Sequence, residues 1–340
     1  MKKHSLMAKA LVVAFISIVA VSAAEAKNKK YGLFIGINAY TGGITPLKGC
    51  VNDATSMRDA MTSKFGFNVA DTTLLTDAAA TRDGIIAGIK KYEAVAGPGD
   101  IFVMHYSGHG TLFPDKYTEE QDETKLIYME IPNDAGQMEV LYERGTYDSA
   151  LVPFDARSKT SGKPWRNLIL DDELYAMLGA ITRKGAQVVL ISDSCHSGSI
   201  DKARASDATR RAESLATVFG VRRFSELDLE APATTRTTRT PPPVSPLYLS
   251  MTGAKDDEFS LDVSYKGKPM GLFTYNFIQE VNKIVIVPKK PITMNYQQIM
   301  AVVAKNVSEQ AGKWSNNQNP QLNFAYGNPR MALFSVPAAK

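Results

Sequence analysis

With two cysteines in 340 residues, the chain has no disulfide framework to stand on, and a packed core must hold it together. Charge of one sign is lacking too. The formal net charge is only +4, a balance that gives no reason to expect nucleic acid or an anionic membrane as a partner. Beyond the first 26 residues no long hydrophobic run follows, so no later segment is a candidate membrane span. No segment repeats. What remains is ordinary for a globular protein, with 44% apolar and 22% charged residues. The length suffices for one large α/β domain or two modest ones.

The N-terminus has its own pattern. Lys2, Lys3 and Lys9 precede the apolar stretch Leu11–Ala24, and Ala24-Glu25-Ala26 has the small–x–small form of a cleavage site. Residues 1–26 therefore read as a secretory signal peptide, and the mature chain as exported, periplasmic or secreted. No membrane partner is expected once the signal is removed.

Apolar runs of strand length occur at Tyr31–Ile37, Ile101–Tyr106, Gln187–Ser192 and Leu247–Met251. Helical periodicity marks Val51–Lys64, Arg82–Val95, Asp172–Thr182, Phe273–Val281 and Tyr296–Gln310. Their alternation predicts an α/β fold with a mostly parallel central sheet covered by helices on both faces. The spacing predicts a large segment over 27–200, with an insertion at 112–170 that is too long for an ordinary connection. Residues 201–246 are rich in Ala, Thr, Arg and Asp and end in Thr240-Pro-Pro-Pro-Val-Ser-Pro246, the composition of a flexible linker. A smaller segment, 247–340, follows.

Two of the strand-like runs end in chemistry. Ile101–Met104 leads into His105-Tyr-Ser-Gly-His109-Gly110, and Val188–Ile191 leads into Ser192-Asp-Ser-Cys195-His-Ser-Gly198. Loops past the carboxyl ends of parallel strands are where such sheets build their sites. One His and one Cys can thus meet on one rim, which is how a Cys–His nucleophilic pair forms from distant sequence. Of the four histidines, His4 is lost with the signal, His105 lies within a strand as a core residue, and His196 adjoins the Cys with its ring directed away. His109, flanked by two glycines, is the expected base. A metal pair at His105 and His109 would need a helix, which Gly108 after a β-rich run argues against. Cys195 must act as a thiolate with an imidazole to manage its proton, and the backbone N–H groups of Gly110 and Cys195 are the expected oxyanion donors. This chemistry needs no cofactor.

These residues resemble the metacaspases and bacterial orthocaspases among the caspase-like cysteine peptidases. The resemblance rests on Tyr31-Gly-Leu-Phe-Ile-Gly-Ile-Asn38, Leu47-Lys-Gly-Cys50-Val-Asn-Asp53-Ala54, the His109 and Cys195 motifs, Gly271-Leu-Phe-Thr-Tyr-Asn-Phe277 and Asn319-Pro-Gln321. It implies a caspase–haemoglobinase fold, a Cys195–His109 dyad, and peptide or protein substrates with Arg or Lys before the scissile bond. It further implies an acidic pocket at Asp53 and Asp193, lined by Ser107 and Cys50. Two carboxylates suit a desolvated guanidinium or ammonium; equally, Asp53 could serve a helix first turn and Asp193 a structural turn. Calcium binding is implied at Asp155, Asp171 and Asp172, which could instead be a loop acid and two helix caps. The chain departs from the caspase pattern in its spacing: 86 positions separate His109 from Cys195, against roughly 50. The expected function is an exported endopeptidase that also cuts its own linker. The alternatives are a peptidase of this fold directed at Asn or another residue, and a non-catalytic interaction protein.

Overall fold

The computed structural model describes residues 28–114, 125–132, 138–145, 147–156, 167–195, 208–211, 245–255, 258–287, 290–324 and 329–335. In chain order its first elements are β1 (Lys30–Gly36), α1 (Cys50–Lys64), β2 (Thr72–Thr76), α2 (Arg82–Val95), β3 (Ile101–Ser107), β4 (Gly110–Pro114), β5 (Lys125–Pro132), β6 (Met138–Gly145), β7 (Tyr147–Leu151) and β8 (Ile169–Leu170). Then come α3 (Asp171–Arg183), β9 (Gln187–Asp193), β10 (Ala208–Arg210), β11 (Tyr248–Thr252), β12 (Leu261–Tyr265), β13 (Lys268–Gly271), α4 (Leu272–Lys283), α5 (Tyr296–Ala311) and β14 (Gln321–Asn323).

The central sheet has the order β14-β11-β9-β3-β1-β2. Five of its strands are parallel, and β14 closes one edge antiparallel. Its inner strands are buried along nearly their whole length and mostly apolar, because both faces are covered. Successive residues alternate between two cores: Phe34 of β1, Val103 of β3 and Val189 of β9 join α1, α4 and α5 on one face. Leu33, Phe102 and Val188 join α2 and α3 on the other. This two-residue period sorts each strand between two helical layers.

Local chemistry sets where the helices begin. The Thr81 hydroxyl accepts from Gly84 N at the start of α2, and Asn295 with Gln298 forms a capping box on α5. At α1 the cap comes from afar, because the Asn38 side chain accepts from Cys50 N at 2.8 Å. That contact ties the end of β1 to the start of α1.

The insertion read at 112–170 carries strands: β4, β7 and β8 form one small sheet and β5–β6 a hairpin. One reading of the sequence is corrected here. Within the segment read as flexible linker, Ala208–Arg210 is a strand, paired antiparallel with β12. The segment 1–26 and most of 201–246 lie outside the described residues, as does His196.

Candidate active site

Gly36, Ser107 and Asp193 stand side by side at the carboxyl ends of β1, β3 and β9. His109 and Cys195 each follow their strand's member of that row by two positions, so neighbouring parallel strands deliver both to one rim. Both are buried.

His109 is held from several sides. Its N–H donates to the Tyr40 hydroxyl at 2.8 Å, and the Tyr106 hydroxyl donates to its carbonyl at 2.7 Å. Its ring lies 5.0 Å from that of Tyr40. Gly108 makes this packing possible, since a Cβ there would sit 2.8 Å from the hydroxyls of both Tyr40 and Tyr106. Ring atom Nε2 is 2.7 Å from the Thr45 carbonyl oxygen. A carbonyl only accepts, so this contact puts the hydrogen on Nε2 and makes Nδ1 the basic nitrogen. His105 lies buried in β3, where desolvation lowers its pKa to about 3 and keeps it neutral. It is a core residue, as expected, although neither ring nitrogen has a hydrogen-bond partner among the described residues.

The Cys195 thiol is pushed up to about 12, chiefly by burial; a backbone hydrogen bond from Ser260 pulls it down and the charge of Asp193 pushes it up. A thiol so placed is protonated at neutral pH, and its use as a nucleophile requires a base to take the proton. Ser260 N–H donates to Sγ, and Ser260 O lies 3.5 Å from it.

The expected acidic pocket is occupied by the chain's own Arg211. Its Nη2 donates to Asp53 Oδ2 at 2.7 Å and to Asp262 Oδ1 at 3.2 Å. Its Nη1 donates to Ser107 Oγ at 2.7 Å and to the Asp193 carbonyl at 3.1 Å, with Asp193 Oδ2 at 3.4 Å. Cys50, also buried, lies close enough to Arg211 and Asp262 for their charges to bear on its thiol, which burial pushes far up. All four residues expected at the pocket are therefore brought together.

The two expected acids differ in role. Asp53 contacts the guanidinium closely while accepting from Ser107 Oγ at 2.8 Å and from Gly271 N at 3.0 Å. Burial raises its pKa to about 7, against the pull of Arg211. The Asp193 carboxylate is largely used within the fold: Oδ1 accepts from Ser260 Oγ, and Oδ2 from Thr274 N at 2.9 Å and Thr274 Oγ1 at 2.6 Å. It caps α4 from a distant strand, since the N-cap Gly271 has no side chain to do so. A Cβ on Gly271 would sit 2.2 Å from Asp193 Oδ2, so this corner admits only glycine.

Sequence reading missed Asp262, which sits in an unremarked stretch, and does not single out Arg211 among the several Lys and Arg residues of 201–246 that the enzyme's own specificity should recognise. Asp262 also accepts from Lys48 N at 2.7 Å and Gly49 N at 3.1 Å through Oδ2. This leaves Oδ1 to the guanidinium.

The expected calcium ligands are not gathered. Asp155 Oδ1 accepts from Arg82 N at 2.9 Å at the start of α2, and Asp171 Oδ1 accepts from Asp172 N at 2.8 Å in the first turn of α3. Among the described residues no three His, Cys, Asp or Glu side chains lie together in a way that could hold a metal ion. Asp155 and Asp171 thus make helix-end contacts, at α2 and α3.

A family model described as caspase domain matches residues 29–326. Metacaspase-1 of Cryptococcus neoformans var. neoformans serotype D is 26% identical over 344 residues, a match covering 91% of this chain and 65% of that protein. The chain thus spans somewhat under two thirds of that relative's length. Among solved structures, a protein of Geobacter sulfurreducens superposes with a TM-score of 0.57 at 24% identity, covering 91% of this chain and 99% of that one. Caspase-1 of Spodoptera frugiperda superposes at 0.52 with 10% identity, covering 92% of each.

Proposed function

Because the chain belongs to the caspase-domain family of cysteine peptidases, we propose that it is an exported endopeptidase that cuts after Arg or Lys and processes its own linker. One observation carries the specificity: a buried guanidinium lies 2.7 Å from Asp53 and 3.4 Å from Asp193. A site that desolvates a cation needs carboxylates to receive it.

In this reading His109 Nδ1 takes the Cys195 proton and the thiolate attacks the carbonyl carbon after the basic residue. The N–H groups of Gly110 and Cys195 receive the oxyanion. His109 then protonates the leaving amine, and water hydrolyses the thioester. No step needs a metal. The chemistry of the N-terminal segment supports export, with a mature chain starting at Lys27.

The test is hydrolysis of matched peptides carrying Arg, Lys, Asn or Asp before the scissile bond, with a thiol-directed covalent label in parallel. Turnover of the Arg or Lys peptides, abolished by Cys195→Ala, is the expected result. Preferential cutting after Asn or Asp would overturn the specificity. A labelled but inert protein would favour a binding role. N-terminal sequencing of the exported product tests residue 27 as its start.

A further inference from the structure

We propose that Gln318 is a positioning residue for the nucleophile: its buried amide locks Ser260 so that the Ser260 backbone N–H steadies the Cys195 sulfur as a thiolate. The inference rests on the reading of Cys195 as the nucleophile, and it is carried by hydrogen bonds which that reading does not use.

Ser260 directly precedes β12, and its N–H donates to Sγ of Cys195. Such a bond strengthens when its acceptor becomes charged, so it favours the thiolate over the thiol. Among the influences that lower the pKa of this thiol, the Ser260 N–H is the largest. Asp193 works against the thiolate by its charge, and Arg211 works for it by its charge and a backbone hydrogen bond. His109 is the base that takes the proton. A hydrogen bond weakens steeply once it is bent, so what the N–H contributes depends on where Ser260 is held.

Gln318 holds it. The Gln318 side chain is wholly buried. Its Nε2 donates to Ser260 Oγ at 3.0 Å and to the Gly253 carbonyl at 2.9 Å, while Oε1 accepts from Leu261 N at 3.1 Å. Two donations from one nitrogen beside an accepting oxygen suit a carboxamide, and an ionised carboxylate could make neither donation. The Ser260 hydroxyl donates in turn to Asp193 Oδ1, so it is engaged as donor and as acceptor.

Gly253 closes the frame. Its N–H donates at 2.8 Å to the carbonyl of Ser192, on the strand that leads to Cys195. Gln318 therefore spans from the strand that carries the sulfur to the N–H that faces it. Flanking residues tighten the grip on the same segment: Asn316 Nδ2 donates to the Phe259 carbonyl at 3.2 Å, and Asn319 N donates to Glu258 Oε2 at 2.6 Å.

The test compares wild type, Gln318→Met, Ser260→Ala and the double variant, each checked for folding by circular dichroism. Met keeps the length of Gln and removes its hydrogen bonds. Ser260→Ala cuts the same link from the other end and leaves the backbone N–H in place. Alkylation of Cys195 by iodoacetamide is followed by peptide mass spectrometry from about pH 6 to 9, because the thiolate is the species that reacts. Alongside it, kcat is measured on an Arg-terminated peptide.

Each single variant should alkylate about tenfold more slowly at a given pH, as a thiol raised by one pKa unit would, and kcat should fall in step. The double variant should be no worse than either single one, since both cut one link. A merely structural role predicts the opposite sign, because a loosened site exposes the sulfur and speeds alkylation. Unchanged or faster alkylation in the folded variants would overturn the inference, as would additive losses in the double variant. Where Gln318→Met does not fold, Ser260→Ala decides alone by the same criterion. A wild type that turns over no basic peptide, with alkylation slowed in the variants, would overturn the peptidase reading and leave the positioning of the sulfur standing.

Discussion

Arg211 Nη2 and Asp53 Oδ2 lie 2.7 Å apart with no exposed surface on either side chain. Burying two charges costs several kcal/mol each and is repaid only by excellent geometry and further hydrogen bonds. Here the geometry is good: the guanidinium meets Asp53, Asp262, Ser107 and the Asp193 carbonyl at once. A cleft already built to take a guanidinium is the economical account of how a linker residue comes to be so fully desolvated.

Cys195→Ala and His109→Ala should each remove peptide turnover while leaving the fold in place. The loss in kcat/KM should exceed about a thousandfold, or ~4 kcal/mol of transition-state stabilisation. Steady-state kinetics with a circular-dichroism melt on each variant checks this, and residual activity near the native rate would refute the assigned roles.

Asp262 should make the pocket favour arginine over lysine. The two terminal nitrogens of Arg211 serve opposite sides, Asp53 with Asp262 and Ser107 with the Asp193 carbonyl. A lysine has one nitrogen and must leave one side without a donor. The expected preference for Arg in kcat/KM is at least about tenfold, ~1.4 kcal/mol. Asp262→Asn, whose amide oxygen can still accept from Lys48 N and Gly49 N, should raise KM for Arg peptides and narrow the preference. Equal rates on Arg and Lys peptides in the wild type would contradict this.

Asp193→Ala should damage stability as well as recognition, because its carboxylate caps α4 through Thr274 and receives Ser260. A lost cap plus buried donors left unpaired amounts to about 2–4 kcal/mol. Asp53→Asn should act more on KM, since its carboxylate makes the closer contact with the guanidinium. Paired denaturant melts and Arg-peptide kinetics on the two variants separate these effects. Identical profiles would show that the division of roles drawn here is mistaken.

Binding of basic substrates should weaken as pH falls through neutrality. Burial raises Asp53 to about 7, against the pull of the Arg211 guanidinium. Below that range the protonated acid offers no charge, and loading a cation must expel its proton. KM for Arg peptides should therefore rise toward acid pH. An uncharged isostere of the peptide should lack this limb, which comparing the two pH profiles would reveal.

Much of the architecture was legible. β1, β3, β9 and β11 stand out as apolar runs because a sheet covered on both faces demands them, and the five long helices show their buried stripe. The rim motifs were legible because glycine and small polar residues directly follow those runs. β2 was not: Thr72–Thr76 lies at the sheet edge, intermediate in exposure along its length, and carries little apolar signal. The tautomer of His109 also escaped, since the Thr45 carbonyl comes from a loop 64 positions away.

The amino-acid order by itself determined the layered α/β fold and the two strand ends that carry His109 and Cys195, because periodicity and strand-end glycines are local properties. It also named Asp53 and Asp193 through a resemblance. Only the tertiary structure decided that Asp262 belongs with them, that Asp193 spends its carboxylate capping α4, and that Arg211 is the cation they hold. Those four residues come from α1, β9, the end of β10 and β12. The pairing of β10 with β12 brings them together, and a lone acid or base carries no local mark of which distant charge will meet it once water is excluded.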